Sequence, residues 1–129
     1  MLTNEKKYEK LLQKFISGAE CTVNVDNIDK TSVKKNNKGV DQYRQAAKQI
    51  CERFPNQRDN FANLLNYPVN EVRVACAVCM IELMDYDEKW RNQALEVIKA
   101  DYPSKPRFEK SMVNIWLKNH GFEEIEKIY

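Results

Sequence analysis

Apolar residues recur along this chain at spacings of three and four positions, the pattern typical of amphipathic helices. The first such stripe lies in Asn4–Ala19 and comprises Tyr8, Leu11, Leu12, Phe15, Ile16 and Ala19. Thr3 is suited to cap the N-terminus of this helix, and Gly18 suggests its end. The pattern therefore predicts a first helix over Asn4–Ala19.

Two further helices are separated by prolines. The spacing predicts a second helix over Asp41–Phe54, which Pro55 stops because a proline disfavours helical backbone in the residue before it. A short third helix is predicted over Arg58–Asn66, and Pro68 breaks the chain again. Connections this short make sequential helices antiparallel neighbours.

The segment Val69–Met84 is apolar almost all round. Such a helix is buried on most sides, so we predict that it lies at the centre of the molecule. Two helices follow, over Asp87–Ala100 and Phe108–Asn119. The His120-Gly121 pair suits a helix C-terminus, and the tail after it is expected to add one more turn.

The least regular segment is Cys21–Gly39. Val23, Val25 and Ile28 alternate with polar residues, which indicates an extended connection or a short strand. The polar run KKNNKG, Lys34–Gly39, is either a flexible loop or the frayed first turns of the second helix.

Composition agrees with a helical chain. Of 129 residues, only 3 are Gly and 4 are Pro, which argues against a turn-rich β fold. The hydrophobic content of 43% and charged content of 31% suit a globular protein. We predict a single all-α domain spanning residues 1–129.

The chain is expected to lie in the cytoplasm. Its first ten residues are charged and lack the apolar core of a signal peptide, and no apolar run is long enough to span a membrane. The 4 Cys are then most simply reduced thiols. The net charge of +2 is too small to imply a nucleic-acid partner by itself.

Cys76 and Cys79 form a CxxC spacing, which raises redox and metal-binding hypotheses. A redox pair normally starts a helix, whereas Cys76 lies about two turns inside one, among apolar residues that raise a thiol pKa. A zinc site needs a second ligand pair, and Cys21 and Cys51 are single and distant in sequence. The pattern favours core packing for both thiols.

No catalytic set emerges from the other polar residues. His120 is the only histidine, without a local Cys–His signature, and the chain has no Gly-rich phosphate loop and no HExxH. Arg73, on the apolar fourth helix, is either an anion anchor or the partner of a carboxylate such as Asp59 or Asp85. We expect a protein that is not an enzyme and holds no cofactor or metal.

The acidic run Glu82–Glu88 gathers four carboxylates near a helix–helix turn. They lack EF-hand spacing, so the alternatives are capping of the next helix or a docking patch for a basic protein. Trp90 beside them suits a partly exposed anchor. The predicted partner-binding residues are Glu82, Asp85, Asp87, Glu88 and Trp90.

The lysine-rich region Lys30–Lys48 supplies a different hypothesis, a nucleic-acid-binding helical repeat. Its Lys34–Gly39 part lacks the interleaved aromatic residues that stack on bases, so a solvated segment is favoured over a phosphate-binding patch.

The segment Phe61–Met84 resembles a HEAT repeat. A short helix ends at Leu64-Leu65, Pro68 marks the turn, and Glu71-Val72-Arg73 enters a second helix with small residues, Ala75 and Ala77, soon after. Small residues let two helices approach closely, and a proline starts a helix after a tight turn.

The chain from Ala94 onward resembles the C-terminal part of a small bacterial HEAT-like family, long classed as a domain of unknown function. Phe108-Glu109, Met112-Val113, Trp116 and Gly121 match its last helix, and the first helix also fits. Cys21–Gly39 is longer than the usual connection. Family members often lie beside polymorphic toxin genes and are suspected immunity proteins.

The resemblance implies a HEAT/ARM-like right-handed stack of about six antiparallel helices, an α–α superhelix. It also implies a non-catalytic cytoplasmic immunity protein, or antitoxin, that binds and neutralises a cognate toxin in a stoichiometric complex. The family has no established catalytic motif, so it assigns no site residue. A general adaptor or scaffold is an alternative that the sequence does not separate from this one.

Overall fold

The computed structural model describes residues 3–22 and 30–126, and within them every regular element is a helix. The six α-helices of this part are α1 (Asn4–Glu20), α2 (Lys30–Arg53), α3 (Arg58–Ala62), α4 (Asn70–Leu83), α5 (Glu88–Asp101) and α6 (Arg107–Asn119). Short 3-10 turns occupy Pro55–Gln57, Asn63–Asn66 and Tyr102–Ser104. The all-α prediction is confirmed for the described residues. None of their helices is both long and apolar enough to cross a membrane.

Local chemistry sets both ends of the chain of helices. The Thr3 hydroxyl accepts a hydrogen bond from the Lys6 amide at 3.2 Å, which confirms it as the N-cap of α1. At the end of α6, Gly121 has φ of 82°, and the Phe122 amide donates to the Leu117 carbonyl at 2.9 Å. This is the left-handed glycine termination that the His120-Gly121 pair predicts.

Helix α2 begins eleven residues earlier than the predicted Asp41, at Lys30. The interpretation of Lys34–Gly39 as a flexible loop is therefore wrong. The alternative, the frayed first turns of the second helix, is right in placing this run in α2, although the run follows the first turn of the helix. Gly39 continues the buried stripe of α2, although a glycine carries no apolar signal. The expected extended connection at Val23, Val25 and Ile28 lies outside the described residues.

Helices α1 and α2 form an antiparallel pair. The Phe15 and Tyr43 rings meet edge to face with centroids 5.5 Å apart, near the end of α1. Tyr8 and Phe54 do the same at 5.9 Å, near the start of α1 and the end of α2. These two contacts show that α1 and α2 run in opposite directions.

The two helices cross with their backbones in close contact at Gly18 and Gly39. A Cβ added to Gly18 would lie 2.8 Å from the Gly39 carbonyl oxygen, and one added to Gly39 would lie 2.5 Å from the Gly18 carbonyl oxygen. Gly18 was expected to mark the end of the first helix, but it lies inside α1. Both positions require glycine because each α-helix occupies the space of the other's side chain.

Helix α4 is the centre of the described structure, as its all-round apolar sequence predicts. Half of its residues are buried: Val72, Ala75, Cys76, Ala77, Cys79, Met80 and Ile81. They pack in one hydrophobic core with residues of α1, α2, α3, α5 and α6. The predicted third helix, by contrast, is α-helical only over Arg58–Ala62 and tightens to a 3-10 turn over Asn63–Asn66.

Helices α5 and α6 fold back along α4 in turn. Asn70 at the start of α4 donates to the Asp101 carboxylate at the end of α5 at 2.8 Å, so these two helices are antiparallel. Arg91 near the start of α5 donates to the His120 carbonyl at the end of α6 at 3.3 Å. These contacts show that α5 runs opposite to α4 and that α6 runs opposite to α5.

A buried asparagine fastens the segment after α6. Asn114 is 0% exposed, donates to the Tyr102 hydroxyl at 3.0 Å, and accepts from the amides of Ile125 and Glu126. These bonds hold the described part of the tail to α6. The extra helical turn expected there is absent up to Glu126. The Ile125 and Glu126 amides donate to the Asn114 side chain instead of to backbone carbonyls.

Candidate functional site

The CxxC pair is part of the core. Cys76 and Cys79 are both 0% exposed, and the Cys76 thiol lies 3.5 Å from the Phe61 carbonyl oxygen, to which it donates. All four cysteines are free thiols. Within the described residues, no three His, Cys, Asp or Glu side chains are grouped as a metal site needs. The core-packing interpretation is confirmed.

Burial also makes both thiols poor nucleophiles. It raises the pKa of Cys76 well above the ordinary thiol value, and it raises the pKa of Cys79 to about 12. Because the thiolate is the reactive form, these two residues stay protonated at neutral pH. Neither side chain is placed to act on a ligand at the surface.

His120 ends a helix and contacts no thiol among the described residues. Its Nδ1 lies 2.8 Å from the Trp116 carbonyl oxygen, and its ring stacks on the Trp116 ring with centroids 4.6 Å apart. These contacts hold the imidazole against its own helix.

Arg73 has different partners from those predicted. It was expected to pair with Asp59 or Asp85 if it was not an anion anchor, and the pairing is wrong. Its guanidinium donates to the carbonyls of Tyr67 and Pro68 at 2.7 and 3.1 Å and to the Asn70 side chain. Arg73 therefore fastens the turn that enters α4, since a cation can satisfy the carbonyls left unpaired at such a turn.

The acidic run forms part of a groove at the turn between α4 and α5. This groove has a volume of about 460 Å³. It is lined by Asp85, Tyr86, Asp87 and Trp90 from the turn and α5, and by Pro55, Asn56, Arg58 and Asp59 from the 3-10 turn before α3 and the first residues of α3. We call this lining, with Glu88, the turn patch.

The floor of the turn patch is held together by hydrogen bonds and ring contacts. Tyr86 is buried and its hydroxyl donates to the Arg58 carbonyl at 2.8 Å. The Arg58 guanidinium covers the Tyr86 ring at 4.6 Å and donates to the Asp85 carbonyl. Trp90 meets the same ring edge to face at 6.4 Å. Aromatic and cation–π contacts fix these groups before any partner binds.

The carboxylates of the turn patch have different roles. Asp87 caps α5, because its Oδ1 accepts from the Trp90 amide at 3.0 Å, so the capping alternative is confirmed for this residue. Asp59, Asp85 and Glu88 are exposed, and their carboxylates have no ion-pair partner among the described residues. Trp90 is half-buried, as predicted for an anchor.

Glu82 lies apart from the other predicted partner-binding residues. One of its carboxylate oxygens pairs with Arg44 at 2.9 Å and the other accepts from the Trp116 indole at 2.9 Å. The hydrogen bond that Arg44 donates to Glu82 raises the pKa of Arg44, so the guanidinium stays charged at neutral pH. Glu82 therefore joins α2, α4 and α6 and is not in the turn patch.

The sequence did not indicate that residues 55–59, around the start of α3, contribute to this site. Pro55, Arg58 and Asp59 are more than twenty-five residues from Asp85 and Tyr86 along the chain, and only the antiparallel packing brings them together. Arg58 resembles any exposed basic residue by sequence, and no local pattern marks it as the neighbour of an aromatic ring.

The lysines of the alternative hypothesis lie on α2. Lys34, Lys35 and Lys38 are exposed and, at spacings of one and four positions, occupy one side of the helix. Arg44 further along faces Glu82 instead of solvent anions. Arg44 therefore does not belong to the surface that these three lysines form.

Comparisons of the chain with protein-family models, with curated proteins and with solved structures give no match.

Proposed function

We propose that this chain is a non-catalytic, HEAT-like protein-binding module that neutralises a cognate bacterial toxin as a cytoplasmic immunity protein. The resemblance of Phe61–Met84 to a HEAT repeat and of the C-terminal helices to toxin-associated proteins supports the toxin as partner. The succession of antiparallel helix pairs supports a stacked architecture. Neutralisation proceeds by occlusion in a stoichiometric complex.

The observation that carries the proposal is the turn patch. Unpaired carboxylates stand around a half-buried tryptophan on a floor already fixed by Arg58 and Tyr86. A rigid surface loses little conformational entropy on binding, an aromatic anchor supplies affinity, and uncompensated charge speeds association with a partner of opposite charge. The partner surface is therefore expected to be basic around an apolar pocket for Trp90.

Growth rescue tests this proposal. The chain is co-expressed with the protein encoded by the neighbouring gene, and the wild type is expected to relieve the growth arrest. The D85K/E88K variant reverses two exposed charges of the turn patch and is expected to lose rescue, because it removes the charge complementarity.

The matched control is E9K/E20K, which makes the same change of net charge at exposed positions of α1. Rescue by this control, with none by D85K/E88K at equal protein level, supports the turn patch. Equal rescue by both variants excludes the turn patch as the interface. Growth arrest that the wild type does not relieve excludes this neighbour as the toxin.

A second candidate function is nucleic-acid binding by α2. The observation that favours it is the placement of three exposed lysines on one side of this helix. Phosphate contacts make affinity fall steeply with salt. Retention on DNA or RNA that K34E/K38E abolishes and that weakens from 50 to 200 mM salt would support it, and salt-independent retention would exclude it.

A further inference from the structure

A second groove crosses the exposed side of α4. Two adjoining hollows, of about 430 and 310 Å³, share Val74 and Val78 of α4 as an apolar floor. Met112, Val113 and Trp116 of α6 form one wall. We call this surface the α4–α6 groove. Its lining residues differ from those of the turn patch, and the two surfaces share none of them.

The outer face of α6 continues the apolar surface out of this groove. Phe108, Met112 and Ile115 are 76%, 55% and 43% exposed, and they are the large hydrophobic residues most open to solvent in the described part of the chain. Their spacing of four and three positions places them in one stripe. Because Met112 belongs both to the stripe and to the groove wall, the two form one continuous apolar surface.

Acidic residues surround this surface. The two hollows are lined by four acidic residues: Glu71, Glu82, Asp101 and Glu109. Among the described residues, Lys105 is the only basic one in this lining. Lys105 lies 3.2 Å from Asp101 and 3.9 Å from Glu109, and Glu82 pairs with Arg44. Lys105 and Arg44 balance only part of this charge, so the rim keeps an excess of negative charge. Glu71 contributes to the excess, because its carboxylate has no partner among the described residues.

We propose that the α4–α6 groove binds an amphipathic helix of a partner protein, with apolar residues toward Val74, Val78 and Met112 and Lys or Arg on its flanks. The floor between Glu71 and Glu82 covers three turns of α4, or roughly 16 Å, which is the length of about three turns of a bound helix. Helix-in-groove recognition uses apolar anchors at three- and four-residue spacing on such a floor. The inference goes beyond the proposed function, because it concerns another surface.

Charge decides between this partner and a second copy of the chain. In a two-fold dimer through this face, the same surface patch meets itself. The acidic rim of one copy would then face the acidic rim of the other, and like charges across an interface disfavour association. A basic helix meets no such repulsion.

A tryptophan fluorescence titration tests the proposal. The chain has 2 Trp, so in Trp90→Phe the signal comes from Trp116 in the groove wall. The probe is a 14-residue amphipathic peptide of Leu and Lys, and its matched control carries Glu at every Lys position. Saturable change with the Lys peptide, at least tenfold stronger than with the Glu peptide, is expected.

Variants in the Trp90→Phe background locate the site. M112S/I115S removes exposed apolar side chains and E71K/E109K reverses two rim charges, so each is expected to weaken Lys-peptide binding tenfold or more. E9K/E20K matches the charge change of E71K/E109K on α1 and is expected to bind like its parent. Circular dichroism confirms that each variant is folded.

Three outcomes would overturn the inference. The first is the absence of saturable binding of the Lys peptide, and the second is equal binding of both peptides. The third is a dimer in sedimentation experiments that M112S/I115S abolishes, which would assign the face to a second copy. Because the titration contains no toxin, its failure is independent of the growth-rescue result.

Discussion

Gly39 shows how a single residue decides the arrangement of two helices. In an exposed helix interior, replacing Gly by Ala stabilises the protein by about 0.5–1 kcal/mol. Here an added Cβ would lie 2.5 Å from the Gly18 carbonyl oxygen and 2.9 Å from the Cys21 Cβ, so the two helices must separate. The sign of the effect is therefore reversed.

Gly39→Ala is expected to destabilise the chain by about 1–3 kcal/mol, the usual cost of overpacking. The measurement is urea unfolding followed by circular dichroism. Asn37→Ala, at an exposed position two residues away in the same helix, is the control and is expected to be neutral or slightly stabilising. A Gly39→Ala protein more stable than the wild type would show that α1 and α2 do not cross at this residue.

The buried thiols carry a stability effect that depends on pH. An unfolded thiol ionises near its ordinary pKa of 9.0, whereas the folded Cys79 has a pKa of about 12. Above pH 9 the unfolded state therefore holds fewer protons than the folded state, and stability falls as pH rises through this window. Cys76, whose pKa is also raised, adds to the fall.

The C76A/C79A variant is expected to be about 1–3 kcal/mol less stable than the wild type at pH 7, because packing is lost. Since the variant lacks both thiols, this difference is expected to shrink at pH 10 by about 1.4 kcal/mol for each thiol, or about 3 kcal/mol for the pair. Urea unfolding at the two pH values measures both. Loss of toxin neutralisation by a folded C76A/C79A protein would contradict the core-packing role.

At the scale of elements, most helix boundaries were predictable from the sequence. The apolar stripes located α1, α4, α5 and α6 to within one residue or two, because their burial is one-sided or complete and their caps are local. The start of α2 was not located by this pattern. The residue of Lys34–Gly39 that contacts α1 is a glycine, which adds nothing to a hydrophobic periodicity. The partners of Arg73 were also missed, since backbone carbonyls leave no trace in a sequence.

Asn37→Pro tests whether α2 extends through the polar run. Proline removes a helical hydrogen bond and clashes with the preceding turn, which costs about 3 kcal/mol inside a helix and little in a loop. We expect the free energy of unfolding, measured with urea, to fall by about that amount. Asn37→Ala is the control for the lost side chain. If Asn37→Pro lowered the free energy of unfolding by less than about 0.5 kcal/mol, Lys34–Gly39 would be a loop and not part of α2.

At the scale of the whole molecule, packing creates surfaces that the sequence does not display. The acidic run was visible, but the structure separates Glu82 from Asp85, Asp87, Glu88 and Trp90 because Glu82 points toward Arg44 and Trp116. The same packing adds Arg58 and Asp59 to the turn patch. Such long-range juxtapositions depend on helix order and crossing, which local periodicity does not encode.

We propose that this chain works by forming a stoichiometric complex through the turn patch. The most direct test is size-exclusion chromatography with light scattering of the chain co-purified with the protein encoded by its neighbouring gene. We expect a complex with one copy of each chain for the wild type and for E9K/E20K, and free components for D85K/E88K. A wild-type chain that elutes folded and alone, or a D85K/E88K complex as stable as the wild type's, would contradict it.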